Sequence, residues 1–137
     1  MSHQLCRRLF ESRLASWAAE KGYPVAYQNV AFSPQSGQLY LIAYLIPSGT
    51  YSDDLAGAYR RYQGIFQVSV VSPAGQGSGE AEKVITELST VFPLNYSEQI
   101  EGLIVQVMSP IEQGPPIPQE QTEYTTPASF SYRAETP

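Results

Sequence analysis

Cysteine, histidine and charged side chains are all scarce in this sequence of 137 residues, and each scarcity excludes a class of protein. The single cysteine, Cys6, has no partner for an intrachain disulfide, and the single histidine, His3, cannot build a histidine-based metal site. Charged residues make up 15% of the chain, whereas globular proteins usually carry about 25%. Disulfide scaffolds, zinc modules and haem frameworks are therefore not expected, and no cofactor is predicted.

Basic residues are outnumbered by acidic ones, eight against thirteen, which gives a net charge of −5 and a pI near 4.8. Because tight binding to a phosphate backbone needs a basic surface, nucleic acid is not expected as a tightly held ligand. No segment reaches the ~18 apolar residues of a membrane span, and arginines stand where a signal peptide needs its apolar stretch. We expect a protein with no membrane partner, made in a reducing cytoplasm.

Two segments have the apolar spacing of amphipathic helices. The first covers residues 2–21, with Ser2 as its N-cap and Gly22 at its end. The second begins after Ser78, a candidate cap, and stops at Pro93. Extended segments or strands are predicted at residues 24–32, 39–46, 59–71, 102–108 and 128–134.

The order helix, strands, helix, strands predicts an α+β fold, a two-layer sandwich with two helices on one face of a mostly antiparallel sheet. We expect Pro47 to end the second strand segment and Gly64 to mark a bulge in the third. Residues 1–137 are expected to form a single domain. Residues 109–127 are rich in proline and lack an apolar period, so they are predicted to form a loop before the final strand, without a core element.

The glycine-rich residues 70–80 lie between a strand and a helix, where such a loop can bind phosphate. However, Glu80 stands at the third glycine position of the dinucleotide-binding pattern, and the Lys-Ser pair of a phosphate loop is missing. A flexible connection is the simpler interpretation. A small-ligand or nucleotide site at residues 75–79 stays as an alternative from another functional class.

The sequence also offers no complete set of catalytic residues. Cys6 lies on the apolar side of the first helix and is interpreted as a core residue. His3 lies near a chain end that we expect to fray, which makes a rigid catalytic arrangement improbable. Asp53 and Asp54 are interpreted as solvated loop residues. We therefore predict that the protein is not an enzyme and has no catalytic, metal-binding or cofactor-binding residues.

A cluster of alternating aromatic and basic residues stands at the start of the 59–71 strand. Its members are Tyr59, Arg60, Arg61 and Tyr62. Tyrosine and arginine are enriched at protein–protein interfaces, so this cluster is a candidate contact with another subunit or with a partner. The alternative is a solvated strand end whose arginines pair with Asp53 or Asp54.

A second candidate is the row of residues on the 39–46 strand that points away from the predicted helices. It consists of Tyr40, Ile42, Tyr44 and Ile46. Monomers seldom expose an apolar stripe of this kind, so we expect the row to be buried in an assembly. The alternative is that the proline-rich segment or an additional strand covers it.

Three stretches together resemble the phage tail-terminator-like proteins of tailed phages and prophages, over about residues 2–108. They are SHQLCRRLFESRLASWAAEKG, PVAYQNVAF and DLAGAYRRYQGIFQVSVVSPAGQGSGEAEKVITELSTVFP. The order of the YRRYQGIFQVSVV strand, the glycine turn and the helix ending in Phe-Pro is characteristic of that family.

The resemblance implies a structural protein without a catalytic motif. Tail terminators form a ring, commonly a hexamer, which caps the tail tube, stops its polymerisation and offers a surface to the head–tail connector protein. The protein would thus be assembled in the bacterial cytoplasm and reside in the virion tail. Tyr59 to Tyr62 and Gly64 match the characteristic strand, so the resemblance implies subunit or tube contacts there. The alternative within the same class is a head–tail joining or tail-completion protein.

Overall fold

The computed structural model describes residues 2–28, 30, 32, 37–52, 59–73, 75, 79–115, 117–118 and 123–136. Within these residues lie two helices, α1 (His3–Lys21) and α2 (Gly79–Val91). The strands are β1 (Val25–Tyr27), β2 (Tyr40–Tyr51), β3 (Arg61–Pro73), β4 (Ser97–Ile100), β5 (Leu103–Val107), β6 (Glu112–Gln113), β7 (Ile117–Pro118) and β8 (Glu123–Glu135).

The strands form one mixed sheet that curls strongly into a half-barrel. Their order is β1-β2-β3-β8-β5-β4, with β6 and β7 also pairing with β8. β1 runs parallel to β2, and the other described pairs are antiparallel. The predicted α+β class is confirmed. The sheet itself differs from the prediction, because it is a mixed half-barrel and not the mostly antiparallel layer of a two-layer sandwich.

Local signals set both ends of α1. The Ser2 hydroxyl accepts a hydrogen bond from the Gln4 backbone N–H at 3.2 Å, and Gly22 ends the helix in the left-handed conformation at φ 82°. Gly22 donates its backbone N–H to the Ala18 carbonyl, which closes the last turn. The predicted bounds of α1 are therefore confirmed. The predicted cap of α2, Ser78, lies outside the described residues.

The core lies between the helices and the concave side of the sheet, and Phe10 of α1 is at its centre. The Phe10 ring lies 5.2–6.0 Å from the rings of Phe66, Phe92, Phe130 and Tyr132. All five side chains are buried. Because these aromatics come from α1, β3, β8 and the end of α2, one cluster joins both helices to the two central strands.

The prediction that the strand ends at Pro47 is wrong, because β2 continues to Tyr51. The register against β3 shifts between Pro47 and Gly49, so the extra residue of a bulge lies in β2 and not at Gly64 in β3. A proline is tolerated in a strand at a bulge because the ladder is interrupted there and its missing N–H is not required. The bulge therefore lets the strand pass Pro47.

Gly64 allows a close approach of neighbouring strands. A Cβ atom at this position would lie 2.6 Å from both the Ile46 carbonyl oxygen and the Tyr132 hydroxyl. We expect Gly64→Ala to destabilise the fold by about 1–3 kcal/mol, since the Ile46 backbone cannot move aside cheaply. Urea unfolding measures the loss, with Gly79→Ala as the control because Gly79 has no atom within 4 Å of its Cβ position. Equal stability of Gly64→Ala and the native chain would contradict this packing.

Part of the proline-rich segment joins the sheet, which corrects the prediction that it forms only a loop. β6 and β7 pair with β8, and β8 begins at Glu123, inside the predicted loop. Thr125 and Thr126 of this early part are buried against β3. The strand β4, which forms a hairpin with β5, was not predicted from the sequence.

Candidate assembly surface

The segment that leads into β3 carries Tyr59 and Arg60, which with Arg61, the first residue of the strand, are here named the arginine corner. Arg60 is fixed by its backbone, because its N–H donates to Thr136 Oγ1 at 2.9 Å and its carbonyl accepts from the Thr136 N–H at 3.0 Å. Its guanidinium donates to the Ser52 hydroxyl at 3.1 Å. Because the contacts with Thr136 involve only the Arg60 backbone N–H and carbonyl, a substitution of the Arg60 side chain leaves them in place.

Arg61 and Tyr62 point to opposite sides of β3. The Arg61 guanidinium lies 5.0 Å from the centre of the Tyr51 ring on the outer face of the sheet. Tyr62 is only 9% exposed and packs in the core, with its ring 5.2 Å from that of His3. The alternation of the strand turns Tyr62 inward, and its role as an interface residue stays a prediction. The paired carboxylates proposed for the arginines, Asp53 and Asp54, lie outside the described residues.

A cavity of about 310 Å³ lies next to the arginine corner on the outer face. It is lined by Tyr59, Ile104, Gln106, Arg133, Glu135 and Thr136. Arg133 and Glu135 form an ion pair at 2.7 Å across its floor. The cavity therefore joins the predicted cluster at the start of β3 to the outward side chains of β5 and β8.

The outward tyrosines of β2 have their hydroxyl groups satisfied within the chain. Tyr40 donates to Glu123 Oε2 at 2.9 Å, and Tyr44 accepts from Gln67 Nε2 at 2.8 Å. Both tyrosines are half-buried, and the Tyr40 ring lies 5.3 Å from that of Phe32. Within the described part of the proline-rich segment, Glu123 thus contacts this row at Tyr40, whereas β6 and β7 pair with β8 on the side away from β3. The role predicted for Tyr40 and Tyr44 in subunit contacts stays a prediction.

Beyond Tyr44, towards Pro47, the same outer face carries exposed apolar side chains, a group named here the apolar band. Its members are Ile46, Ile65, Ile104 and Met108, which are 43%, 37%, 42% and 38% exposed. Ile46 is paired directly with Ile65, and Ile65 with Ser131. The Met108 N–H donates to the Ser131 carbonyl at 2.8 Å, which brings β5 beside them. Ile46, Ile65 and Met108 therefore lie in one row that crosses β2, β3 and β8 to the end of β5, and Ile104 lies further along β5, paired with Glu135.

Three members of the band were missed as site residues in the sequence. Ile65 and Ile104 are apolar residues on the otherwise polar side of their alternating strands. This exception to the alternation is the feature of the sequence that could have indicated them as surface contact residues. Met108 follows the end of β5, and its facing is set only by its bond to β8. The register between distant strands therefore decides which isolated apolar residues share a surface.

The chain end at His3 was expected to fray, but the His3 side chain connects the start of α1 to the sheet through two hydrogen bonds. Its Nδ1 lies 2.6 Å from the Tyr132 hydroxyl and its Nε2 lies 3.1 Å from Thr50 Oγ1. Cys6 is fully buried, and this burial raises the pKa of its thiol to about 12. The interpretation of Cys6 as a core residue is confirmed, since such a thiol is not a nucleophile at neutral pH.

Burial lowers the pKa of His3 below its usual 6.5, against a smaller opposing effect of a backbone hydrogen bond with Gly49. The unfolded chain then binds the proton more readily than the folded chain, so stability falls as the pH drops from about 6.5 through the lowered pKa. We expect a lower free energy of unfolding at pH 5.5 than at pH 7.5, and a smaller difference in His3→Gln. Urea titrations at the two pH values measure this, and an identical pH dependence in both proteins would contradict the assignment to His3.

The described residues contain no group of three or more histidine, cysteine or acidic side chains placed to hold a metal ion. Neither described helix combines the length and the apolar character required to cross a membrane. The glycine turn proposed as an alternative ligand site includes residues 76–78, which lie outside the description.

The fold and the outer face define a small α+β domain with an uncovered apolar surface of the kind found at protein contacts. The family model described as phage tail terminator protein matches residues 6–132, and the chain belongs to that family. Among solved structures, one similar chain is 44% identical, with a TM-score of 0.81, over 98% of this chain and 96% of that chain. No curated protein matches the sequence.

Proposed function

We propose that the protein is a non-enzymatic tail terminator that forms a ring, a hexamer, on the end of the phage tail tube. Membership of the phage tail terminator family makes it a phage tail-assembly protein. The ring would stop tube polymerisation and offer its free side to the head–tail connector protein. DNA would pass through it as cargo.

The apolar band is the single observation that carries the ring in this proposal. Three exposed apolar side chains, Ile46, Ile65 and Met108, lie in one row across the sheet, with Ile104 further along β5, and a solitary soluble domain seldom exposes such a row. A closed ring needs each copy to use one surface against a different surface of the next copy. The band supplies such a surface, and the arginine corner adjoins it through the cavity at Tyr59.

The arginine corner is proposed as a contact with the tube or with the next subunit. We expect the double variant Arg60→Glu with Arg61→Glu to fold normally but to lose assembly onto tubes. The backbone bonds of Arg60 to Thr136 do not involve its side chain, so the strand is retained. Tail lengths in a complementation assay measure the effect, with Arg7→Glu as a control on the exposed side of α1. Unchanged length control by the double variant would contradict this role.

The terminator function itself is tested by tube growth. Purified tail-tube protein is polymerised with and without the chain, and tube lengths are measured by electron microscopy. We expect the chain to arrest growth and to bind one tube end. Tubes that grow equally long in its presence would overturn the proposal.

A further inference from the structure

We infer that His3 is an acid-released latch that holds the end of β2 against the first turn of α1. His3 is the first residue of α1, and its imidazole reaches two strands of the sheet through hydrogen bonds. Its Nδ1 lies 2.6 Å from the Tyr132 hydroxyl on β8, and its Nε2 lies 3.1 Å from Thr50 Oγ1 on β2. The ring also lies 5.2 Å from that of Tyr62 on β3, at an angle of 80°. One side chain therefore joins the start of α1 to three strands.

The part of β2 that His3 holds is attached more weakly than the rest of the strand. This β2 end segment, residues 49–51, follows the bulge and pairs with β3 opposite Gln63, Tyr62 and Arg61. Among the described strands, β1 pairs with β2 only at residues 41–43, so the end segment has a backbone ladder on one side, with β3. A short segment with exposed side chains and few backbone bonds opens at a lower free energy than a central strand. The bulge interrupts the ladder and is the point at which the opening ends.

The hydrogen bond between His3 and Tyr132 requires the neutral imidazole. The Tyr132 side chain is buried, and its hydroxyl lies against Gly64, where a Cβ atom would be only 2.6 Å away. A buried O–H group without an acceptor is costly, and His3 Nδ1 supplies that acceptor only while it carries no proton. The Nε2–H then donates to Thr50 Oγ1. In the imidazolium both nitrogens donate, so the Tyr132 hydroxyl must turn its hydrogen away from the ring.

The surroundings of the ring also disfavour the imidazolium. His3 lies at the positive end of the α1 dipole, and burial lowers its pKa. The titratable side chains described on the same side of the elements around the ring are Cys6, Arg7, Tyr62 and Tyr132. None of these four is a carboxylate that would stabilise a positive charge. The titratable side chains of the neighbouring strand ends that lie on the outer face are Tyr51, Arg61, Arg133 and Glu135. Protonation therefore weakens the latch.

Release of the latch changes the arginine corner, because Ser52 directly follows the β2 end segment. The Ser52 hydroxyl accepts from the Arg60 guanidinium at 3.1 Å. Opening of residues 49–51 moves Ser52 away from Arg60, whose backbone stays bonded to Thr136. The surroundings of the Arg60 guanidinium thus depend on the protonation of His3. The latch is a property of the single chain, so its test needs neither ring nor tube and is independent of the proposed function.

Nuclear magnetic resonance on the single chain tests the latch with two readouts. Because His3 is the single histidine in the sequence, the ring signals of a chain without a histidine tag report its protonation directly. Amide hydrogen exchange, corrected for the intrinsic effect of pH, is followed at pH 5.5 and pH 7.5 in low concentrations of urea. The variants are His3→Gln, which removes the titrating ring, and Tyr132→Phe, which removes only the hydroxyl. Tyr44→Phe is the matched control, since its hydroxyl bonds Gln67 on the outer face.

We expect the amides of residues 49–51 to exchange about fivefold faster at pH 5.5 than at pH 7.5, at a rate that low urea does not change. In His3→Gln this pH dependence disappears. Exchange at the core residue Phe66 should rise steeply with urea, because it requires global unfolding. The midpoint of the His3 titration should lie below 6.5 in the native chain, and Tyr132→Phe should raise it while Tyr44→Phe leaves it unchanged.

Different results at the ring or at the β2 end segment would overturn the inference. A native midpoint at or above 6.5 would show that the ring accepts a proton without loss of its contacts. A urea dependence at residues 49–51 equal to that at Phe66 would show that the segment opens only when the whole chain unfolds. A pH dependence that persists in His3→Gln would assign the effect to another group.

Discussion

Phe10→Ala is expected to lower the free energy of unfolding by about 3–5 kcal/mol, the largest stability loss of any single truncation considered for this chain. The Phe10 side chain is fully buried and contacts aromatic rings from β3, β8 and the end of α2. Its removal leaves a cavity at the point where both helices meet the sheet. Four rings that pack around Phe10 then lose their common neighbour, and local collapse can recover only part of the loss.

Urea unfolding at pH 7.5 measures this loss for Phe10→Ala against the native chain. Leu94→Ala is the control, because Leu94 is 48% exposed and its truncation removes little buried area. We expect the control to change stability by less than about 1 kcal/mol. Similar losses for the two variants would show that the aromatic cluster is not the centre of the core.

Ile65→Asp is expected to abolish association and tube capping while leaving the fold intact. Ile65 lies at the centre of the apolar band, between Ile46 and Ser131, and is 37% exposed in the isolated chain. A carboxylate buried at a contact without a partner costs at least about 2 kcal/mol, which is roughly a 30-fold weaker Kd. In the isolated chain the same carboxylate keeps its water.

Complementation with Ile65→Asp is scored by the length of the tails that form. We expect abnormally long tubes, with thermal unfolding of the purified variant near that of the native chain. Ile65→Val retains the apolar surface and should retain length control. Val30→Asp places the same charge at another exposed apolar position, 61% exposed and outside the band. If Ile65→Asp restored tails of uniform length, the band would have no role in capping.

The elements predicted well from the sequence are those with local signals. α1 was placed correctly because Ser2, the apolar spacing and Gly22 act within the helix itself. β4 was missed because its residues are polar, and its pairing depends on the turn at Glu101 and Gly102, both with positive φ. The sequence predicts a loop over the early part of β8 because that part is supported by pairing with β3, about 50 residues away in the sequence.

The candidate surface was predictable in part for the same reason. The arginine corner was found from residue types that stand next to each other in the sequence. The apolar band was not, because Ile65 and Met108 come together only through the pairing of β3 with β8 and the backbone bond of Met108 to Ser131 on β8.

The position and number of copies on a tail tube test the central proposal most directly. Electron microscopy of purified tubes incubated with the chain shows where it binds, and averaging of the tube ends shows the symmetry of what is bound. We predict one closed ring, a hexamer, at one end of each tube, and none with Ile65→Asp. Binding along the tube wall, or tube ends without any ring, would contradict the account.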